Sequence, residues 1–263
     1  GALDDTLSGI WNGTVDDIRV YSRALTATEV RQIYNQGVSK VNISPTRSMS
    51  GTGLSAGLVG YWTFDGKDTN WATGVTLDKS GNNNNGQMIS MSTSTSPVPG
   101  KLGQGLNFTS GNQSINLSSD IIGTGPVTVS AWVYGRSYGI IGNGRIVDGL
   151  RFSLYDPNSN KFCVSSDGQA TNACSANSSF LFRKWYLVTA TRDSSGTANI
   201  YVNGVLSGTP NQSSGTPVAG SPPKIGARQA AANSVWNGYL DDVRIYNRLL
   251  SATEIKQLYN MGK

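Results

Sequence analysis

The stretch WNGYLDDVRIYNRLLSATEIKQLYNMG, residues 236–262, carries the pattern that decides the fold. Its first part, YLDDVRIY, alternates largely between apolar and polar residues, and a period of two predicts a β-strand. Ser251 and Glu254 then form a capping-box pattern, and Ile255, Leu258 and Tyr259 follow on one face of the predicted helix. The stretch therefore predicts a last strand followed by one short C-terminal helix.

The same pattern occurs near the start of the chain. Residues 11–37 read WNGTVDDIRVYSRALTATEVRQIYNQG, at an offset of 236 − 11 = 225, and about 18 of the 37 positions aligned from residue 1 are identical. Only one domain body lies between the two copies. We predict that residues 1–37 are the C-terminal tail of a preceding homologous repeat, that residues 38–56 are a linker rich in Ser, Thr and Gly, and that residues 57–263 form a complete domain.

A tail without its body cannot bury its own apolar face. Residues 1–37 could dock on the chain's own body, or they could be a remnant of a longer protein that was cut within the preceding repeat. They could also be donated to a neighbouring chain by β-augmentation, which would make them a self-association element. The sequence leaves these alternatives open.

The body between the two copies is dominated by short strand patterns. An Asn203-Gly204 pair follows one of them and predicts a tight hairpin. The spacing of the runs favours an antiparallel sandwich. The predicted strands are 57–64, 86–91, 105–108, 114–117, 126–134, 150–155, 180–182, 185–192, 197–203 and 224–227.

Composition excludes several function classes. The chain has no His, which excludes Ser–His and Cys–His catalysis and His-ligated zinc. Its two glutamates, Glu29 and Glu254, both fall in capping boxes; a glycosidase needs two carboxylates, which aspartates could still supply. The net charge of +5 comes from scattered residues and predicts no nucleic-acid partner. No apolar run is long enough for a membrane helix, so we expect no membrane insertion.

An ordered series of motifs carries a family resemblance: LVGYWTFDG, DKSGNNNNG, GQGLNF, VTVSAWVY, WYLVTATR, IYVNG and KIGA, and then the last strand and helix. It resembles the laminin-G-like, concanavalin A-like lectin/glucanase superfamily, in particular a subgroup found in bacterial and archaeal surface proteins. The resemblance implies an all-β fold, a two-sheet antiparallel jelly-roll sandwich with one short C-terminal helix.

The resemblance also implies a function. Members usually bind carbohydrates or proteins, and the E-x-D-x-E motif of glycosidase relatives does not occur here. We therefore expect a non-catalytic, extracellular or cell-surface module for carbohydrate binding or adhesion, whose partner is a glycan or a cell-surface protein. The alternative is a structural subunit of a surface fibre or array, linked to its neighbours through residues 1–37.

Many members hold a calcium ion, and the resemblance places an Asn-rich loop near the Asp-Asp pair of the last strand. Oxygen donors there would suit Ca²⁺, and the alternation predicts that Asp241 points inward with Val243 and Ile245. The loop could instead be only a tight turn, and Asp241 could cap backbone amides or pair with an arginine. The expected calcium ligands are Asp78, Asn84, Gly86 through its carbonyl, Asp241 and Asp242.

Two cysteines bracket a turn-like segment. Cys163 and Cys174 are 174 − 163 = 11 residues apart. A disulfide between them would close a hairpin and would fit an oxidising compartment, whereas two free thiols are the alternative.

Candidate ligand contacts come from aromatic residues that no core pattern requires. Trp71 lies in the polar loop KDTNWATG and is the first candidate, although core packing remains the alternative for it and for the others. Trp62, Trp132 and Trp185 are interpreted as core residues because they fall in strand patterns. A second candidate patch comprises Tyr138, Asp148, Arg151 and Tyr155.

Overall fold

A computed structural model describes most of the predicted domain and a short part of the first 48 residues. The described residues are 18–27, 29–30, 53–109, 112–136, 144–157, 160–165, 172–176, 180–212, 220–229 and 234–263. The chain divides into two units, residues 1–48 and 49–263, and each is described by itself.

The described part of the second unit consists mainly of strands, joined by turns and by a 3₁₀ turn at Gly66–Asp68, and it ends in a helix. Alternating sequence patterns form most of the strands, and Asn203 and Gly204 both have positive φ in the hairpin turn predicted for them. The strands are β1 (Leu58–Trp62), β2 (Thr69–Asn70), β3 (Val75–Thr76), β4 (Gly86–Ile89), β5 (Pro97–Pro99), β6 (Gln104–Phe108), β7 (Ser114–Asn116), β8 (Val127–Gly135), β9 (Gly144–Asp148), β10 (Ser153–Asp156), β11 (Cys163–Ser165), β12 (Asn172–Cys174), β13 (Trp185–Arg192), β14 (Thr197–Val202), β15 (Val205–Gln212), β16 (Lys224–Ile225) and β17 (Gly238–Tyr246).

These strands form two antiparallel sheets. The first sheet has the order β15-β14-β13-β8-β17-β6-β5, and β1 also pairs with β17. The second sheet has the order β12-β11-β10-β9-β16-β7-β4-β3-β2. The arrangement confirms the predicted all-β, two-sheet jelly-roll sandwich. In the first sheet β17 is central, since it pairs with β8 on one side and with β6 and β1 on the other.

The main core lies between the sheets. Alternate residues of both sheets point into it, and its large side chains are fully buried. They include Trp62, Phe64, Leu106, Phe108, Val129, Phe152, Leu154, Val243 and Ile245.

A second apolar cluster covers part of the opposite face of the first sheet, which we call the outer face. It is closed by the helix α1 (Ala252–Met261), whose Ile255 and Leu258 are buried against Trp132 and Leu187. Ser251 and Glu254 form the predicted capping box. Among the described residues, no helix has both the length and the apolar character needed to cross a membrane.

Cys163 and Cys174 form the predicted disulfide, directly opposite each other on β11 and β12. The predicted strand at residues 180–182 is wrong, because these residues form no strand. Aromatic packing holds them in place: the Phe180 ring stacks on Phe162 and meets Phe182 edge-on.

In the first unit, the described part of the repeated sequence begins a helix. Glu29 accepts hydrogen bonds from the backbone N–H of Thr26 (2.9 Å) and from the guanidinium of Arg23 (2.6 Å). The start of this helix therefore has the same capping contacts as the start of α1.

Candidate functional site

Asp78, the first of the expected calcium ligands, organises its own loop. Its Oδ1 accepts hydrogen bonds from the backbone N–H of Tyr61 (2.9 Å) and of Ser80 (2.8 Å). Its Oδ2 accepts from the Ser80 hydroxyl (2.7 Å) and the Asn84 N–H (2.9 Å). Four donors occupy the acceptor positions of one carboxylate, so this side chain fastens the loop to β1.

Asn84 and Gly86 also have structural roles. The Asn84 side chain donates to the Val59 carbonyl at 2.7 Å, and its backbone carbonyl accepts from the Trp62 indole at 3.1 Å. Gly86 lies in β4, where a Cβ atom would stand 2.2 Å from Ile115 Cγ2, so no larger residue fits there.

The sequence-based prediction for the face of Asp241 is wrong. Asp241 lies opposite Trp132, but Arg244 lies opposite Ser130, so β17 has one extra residue between these pairs. Asp242 takes up this β-bulge with a φ of 49°. Val243 therefore points into the core, whereas Asp241 points to the outer face of the first sheet.

Asp241 is a buried carboxylate with one unsatisfied oxygen. Its Oδ2 accepts from the backbone N–H of Leu102 at 2.8 Å, and its Oδ1 has no hydrogen-bond partner. Burial raises the pKa of Asp241 to about 8, although the Leu102 amide acts in the opposite direction. At neutral pH this carboxyl group is therefore mostly protonated.

Asp242 is paired with an arginine. The Arg244 guanidinium donates to both of its oxygens and lies 4.2 Å from the centroid of the Tyr61 ring. The Tyr61 hydroxyl accepts a further hydrogen bond from Arg244 at 3.1 Å. Burial and the charge of Asp242 raise the pKa of Tyr61, so its hydroxyl stays protonated.

The three carboxylates among the five expected calcium ligands have other partners in the structure. Asp78 is occupied by backbone and hydroxyl donors, Asp242 is neutralised by Arg244, and Asp241 lies at the Leu102 turn. Among the described residues, no group of three or more His, Cys, Asp or Glu side chains could hold a metal ion. Calcium binding therefore stays a prediction.

Of the predicted ligand contacts, Trp71 is half-buried and packs on the main core. Arg151 is partly exposed in the turn that precedes β10. Tyr138 lies outside the described residues. Asp148 and Tyr155 are brought close together on the second sheet, but both are buried.

Asp148 and Tyr155 are both in contact with the side chain of Arg145, which helps to bury them. Its guanidinium lies 4.2 Å from the centroid of the Tyr155 ring, and its Nε lies 3.5 Å from Asp148 Oδ2. Asp148 also accepts hydrogen bonds from the Leu150 N–H and the Ser153 hydroxyl, both at 2.8 Å. This group is a closed internal network that leaves Tyr155 only 7% exposed.

An accessible aromatic surface lies elsewhere, on the outer face of the first sheet. Trp185, Tyr134 and Tyr239 are directly opposite one another on the neighbouring strands β13, β8 and β17. The rings of Tyr134 and Tyr239 are stacked, with centroids 4.8 Å apart, and the Trp185 ring is 5.6 Å from Tyr134. We call these three residues the aromatic row; each is partly exposed.

The aromatic row lies next to the helix-covered part of the same face. Trp132, two residues before Tyr134 on β8, is covered by α1 through Tyr259, with ring centroids 5.8 Å apart. The exposed residues Arg136 and Lys184 adjoin the row in sequence and add positive charge near it. A row of partly exposed aromatic rings with polar neighbours is a surface on which a partly apolar ligand can pack.

Sequence reasoning missed this row. In β13, Trp185 and Leu187 point to one face and Tyr186 and Val188 to the other, so both faces look apolar and the alternation does not show which one is outward. The available signal was the excess of aromatic residues at the ends of three strands.

Comparison with known proteins places this fold in a family. The family model described as the concanavalin A-like lectin/glucanases superfamily matches residues 109–256, which is more than half of the chain. The chain belongs to this superfamily. A comparison with curated protein sequences finds no match.

Several solved structures share the fold. Domain 4 of AbnA, a GH43 extracellular arabinanase from Geobacillus stearothermophilus solved in complex with arabinotriose, has 16% identity and a TM-score of 0.58, and the match covers 78% of this chain and 98% of that domain. The binding domain of botulinum neurotoxin DC, solved in complex with SialylT, has 16% identity and a TM-score of 0.56. The match covers 80% of this chain and 52% of that chain. Trypanosoma rangeli sialidase has 18% identity and a TM-score of 0.61, with coverage of 88% and 37%. This chain therefore spans about half of the toxin domain and a smaller part of the sialidase.

Proposed function

We propose that this protein is a non-catalytic carbohydrate-binding module and that the aromatic row is its binding surface. The observation that carries the proposal is the alignment of Trp185, Tyr134 and Tyr239 across three neighbouring strands with their rings partly exposed. Sugar rings present flat faces of C–H groups that pack on aromatic rings, while their hydroxyls bond to water and polar side chains.

The dimensions of the row suit an oligosaccharide. Adjacent strands place the ring centroids 4.8 and 5.6 Å apart, so the three rings form one continuous strip. The solved relatives support this class of ligand, since one was solved with arabinotriose and another with SialylT. Glycans displayed on a cell surface would make the module an adhesion domain.

The contacts of the two glutamates support a non-catalytic role. A glycosidase needs two carboxyl groups that face the scissile bond. Glu254 is held by Arg248 and Ser251, and Glu29 by Arg23 and Thr26.

An extracellular location is part of the same proposal. The Cys163–Cys174 disulfide is stable where the compartment is oxidising.

A glycan array tests the proposal. We expect the wild-type chain to bind a subset of glycans, and Tyr239→Ala to reduce the signal at least tenfold, because it removes one of the three rings of the strip and the ring that stacks on Tyr134. Trp71→Ala is the matched control, since it also removes a partly exposed aromatic ring and lies outside the row. The proposal fails if Tyr239→Ala binds like wild type, or if no glycan is bound.

The array also tests calcium when it is run once with added Ca²⁺ and once with EDTA. The aromatic row contains no carboxylate, so we expect equal binding in both. Binding that disappears in EDTA would support the calcium prediction.

A further inference from the structure

The two copies of the repeated sequence differ in burial. Among the described residues of the first copy, four apolar side chains are exposed, whereas their counterparts in the second copy are fully buried. In the first copy, Ile18 is 77%, Val20 93%, Tyr21 43% and Val30 53% exposed. Their counterparts in the second copy, Val243, Ile245, Tyr246 and Ile255, are all 0% exposed.

The first copy nevertheless has the local structure of the second. Arg23 donates to Glu29 at 2.6 Å, as Arg248 does to Glu254. The chain at residues 18–21 has no strand pairing, whereas residues 243–246 pair with both β1 and β8.

The second copy shows which surroundings the sequence requires. Val243 and Ile245 fill the core between the sheets, and Tyr246 packs with Ile255 on the outer face. Both faces of this strand are therefore covered, and its two edges are paired. A segment that keeps the same side-chain pattern is complementary to the same environment.

We propose that the segment around residues 18–30 is a docking element, and that its partner is the body of a second sandwich of this family whose own last strand and helix are absent from their place. The segment would add as a strand between the equivalents of β8 and β1, and its helix would cover the equivalent of Trp132. A preceding repeat or a neighbouring subunit could present such a body. This inference is independent of glycan binding by the aromatic row.

The charged residues of the two copies predict one feature of the partner body. In the second copy Asp242 and Arg244 form a buried ion pair that the Tyr61 ring covers. Asp17 and Arg19 occupy the matching sequence positions of the first copy. Since a buried ion pair needs such a cover, we expect the partner body to carry an aromatic residue at the position of Tyr61.

The first test is an exchange within the full chain, in which residues 236–262 are replaced by the sequence of residues 11–37. Of the 27 positions, 16 are identical, and the core changes are of the type Ile245→Val, so we expect cooperative unfolding with a Tm no more than about 10 °C below wild type. The control is the same exchanged chain with Asp in place of the Ile that then stands at position 243. This control should not fold. Failure of the exchange chain itself to fold overturns the proposal.

The second test asks whether the segment docks when a body is open. Val243→Asp weakens the resident last strand, and Ile18→Asp disables the segment. We expect Ile18→Asp to leave the wild-type Tm unchanged but to lower the Tm of the Val243→Asp chain by about 5 °C or more. Equal Tm values for the Val243→Asp chain with and without Ile18→Asp overturn the proposal. If Val243→Asp unfolds the chain entirely, the exchange chain decides alone.

Discussion

The outer faces of the two sheets each present aromatic rings beside a buried aspartate, but only one of them leaves its rings accessible. On the second sheet, Arg145 covers the Tyr155 ring and pairs with Asp148. On the first sheet, Tyr134 and Tyr239 stack on each other and keep part of their surface free. The comparison teaches that an aromatic ring stays accessible to a ligand where the protein itself offers no cation to cover it.

The buried aspartates of the two faces, Asp148 and Asp241, differ in how well their charge is compensated. Asp148 receives hydrogen bonds from three groups and faces Arg145, so its charge is fully compensated. Asp241 receives one from Leu102 and keeps one oxygen unsatisfied. We therefore expect the removal of one carboxylate to destabilise the fold and the removal of the other to stabilise it.

The largest expected effect is that of Asp148→Ala. It leaves the buried Arg145 without a counter-charge and three donors without an acceptor, so we expect the free energy of unfolding to fall by about 3–5 kcal/mol. Chemical denaturation measures this change. Ser153→Ala, which removes only one of the donors, is the control and should cost about 1 kcal/mol. Equal losses for the two variants would contradict the network described for this face.

Asp241→Asn should have a smaller effect of opposite sign. Because burial raises the pKa of Asp241 to about 8, the folded chain holds a proton there that the unfolded chain releases near pH 4. The free energy of unfolding therefore falls as pH rises from about 4 to 8. Asp241→Asn removes this dependence and should add about 1–3 kcal/mol at pH 8. Denaturation at pH 4 and pH 8 measures it, and a variant less stable than wild type at pH 8 would show that the carboxylate is compensated.

Glu254→Gln tests α1, the helix that covers the part of the outer face of the first sheet next to the aromatic row. Hydrogen bonds from Arg248 lower the pKa of Glu254 to about 2, so its contribution is complete above pH 4.5 and is lost as pH falls towards 2. We expect a loss of about 1 kcal/mol at pH 7 and a smaller difference from wild type at pH 2. Thermal unfolding at both pH values measures this difference.

Glu29→Gln is the matched control for the helix variant, because Glu29 makes the same contacts in the first unit. It should leave the main unfolding transition unchanged at both pH values. A comparable loss in this variant would mean that the first unit contributes to the stability of the sandwich.

Local patterns in the sequence were sufficient for some features of the structure. The capping box at Ser251 and Glu254 and the Asn203-Gly204 turn were predicted correctly, because each depends on neighbours within a few residues. The disulfide between Cys163 and Cys174 was also predicted, since the two cysteines flank a short turn.

Features that depend on distant residues could not be predicted in the same way. The bulge at Asp242 reversed the expected face of Asp241, and no local signal marks its positive φ. The cover that Arg145 provides over Tyr155 depends on the pairing of β9 with β10. The aromatic row depends on the register of three strands, which are far apart in the sequence.

The most direct test of the account is to follow the tryptophan indole N–H signals by NMR while the glycan retained most strongly on the array is added. Trp62, Trp132 and Trp236 are at most 2% exposed, whereas Trp185 is partly exposed in the aromatic row. We predict a saturable shift of the Trp185 signal that Tyr239→Ala abolishes, with the Trp71 signal unchanged. A shift of Trp71 with Trp185 unaffected would contradict the assignment and return the binding surface to the loop singled out from the sequence.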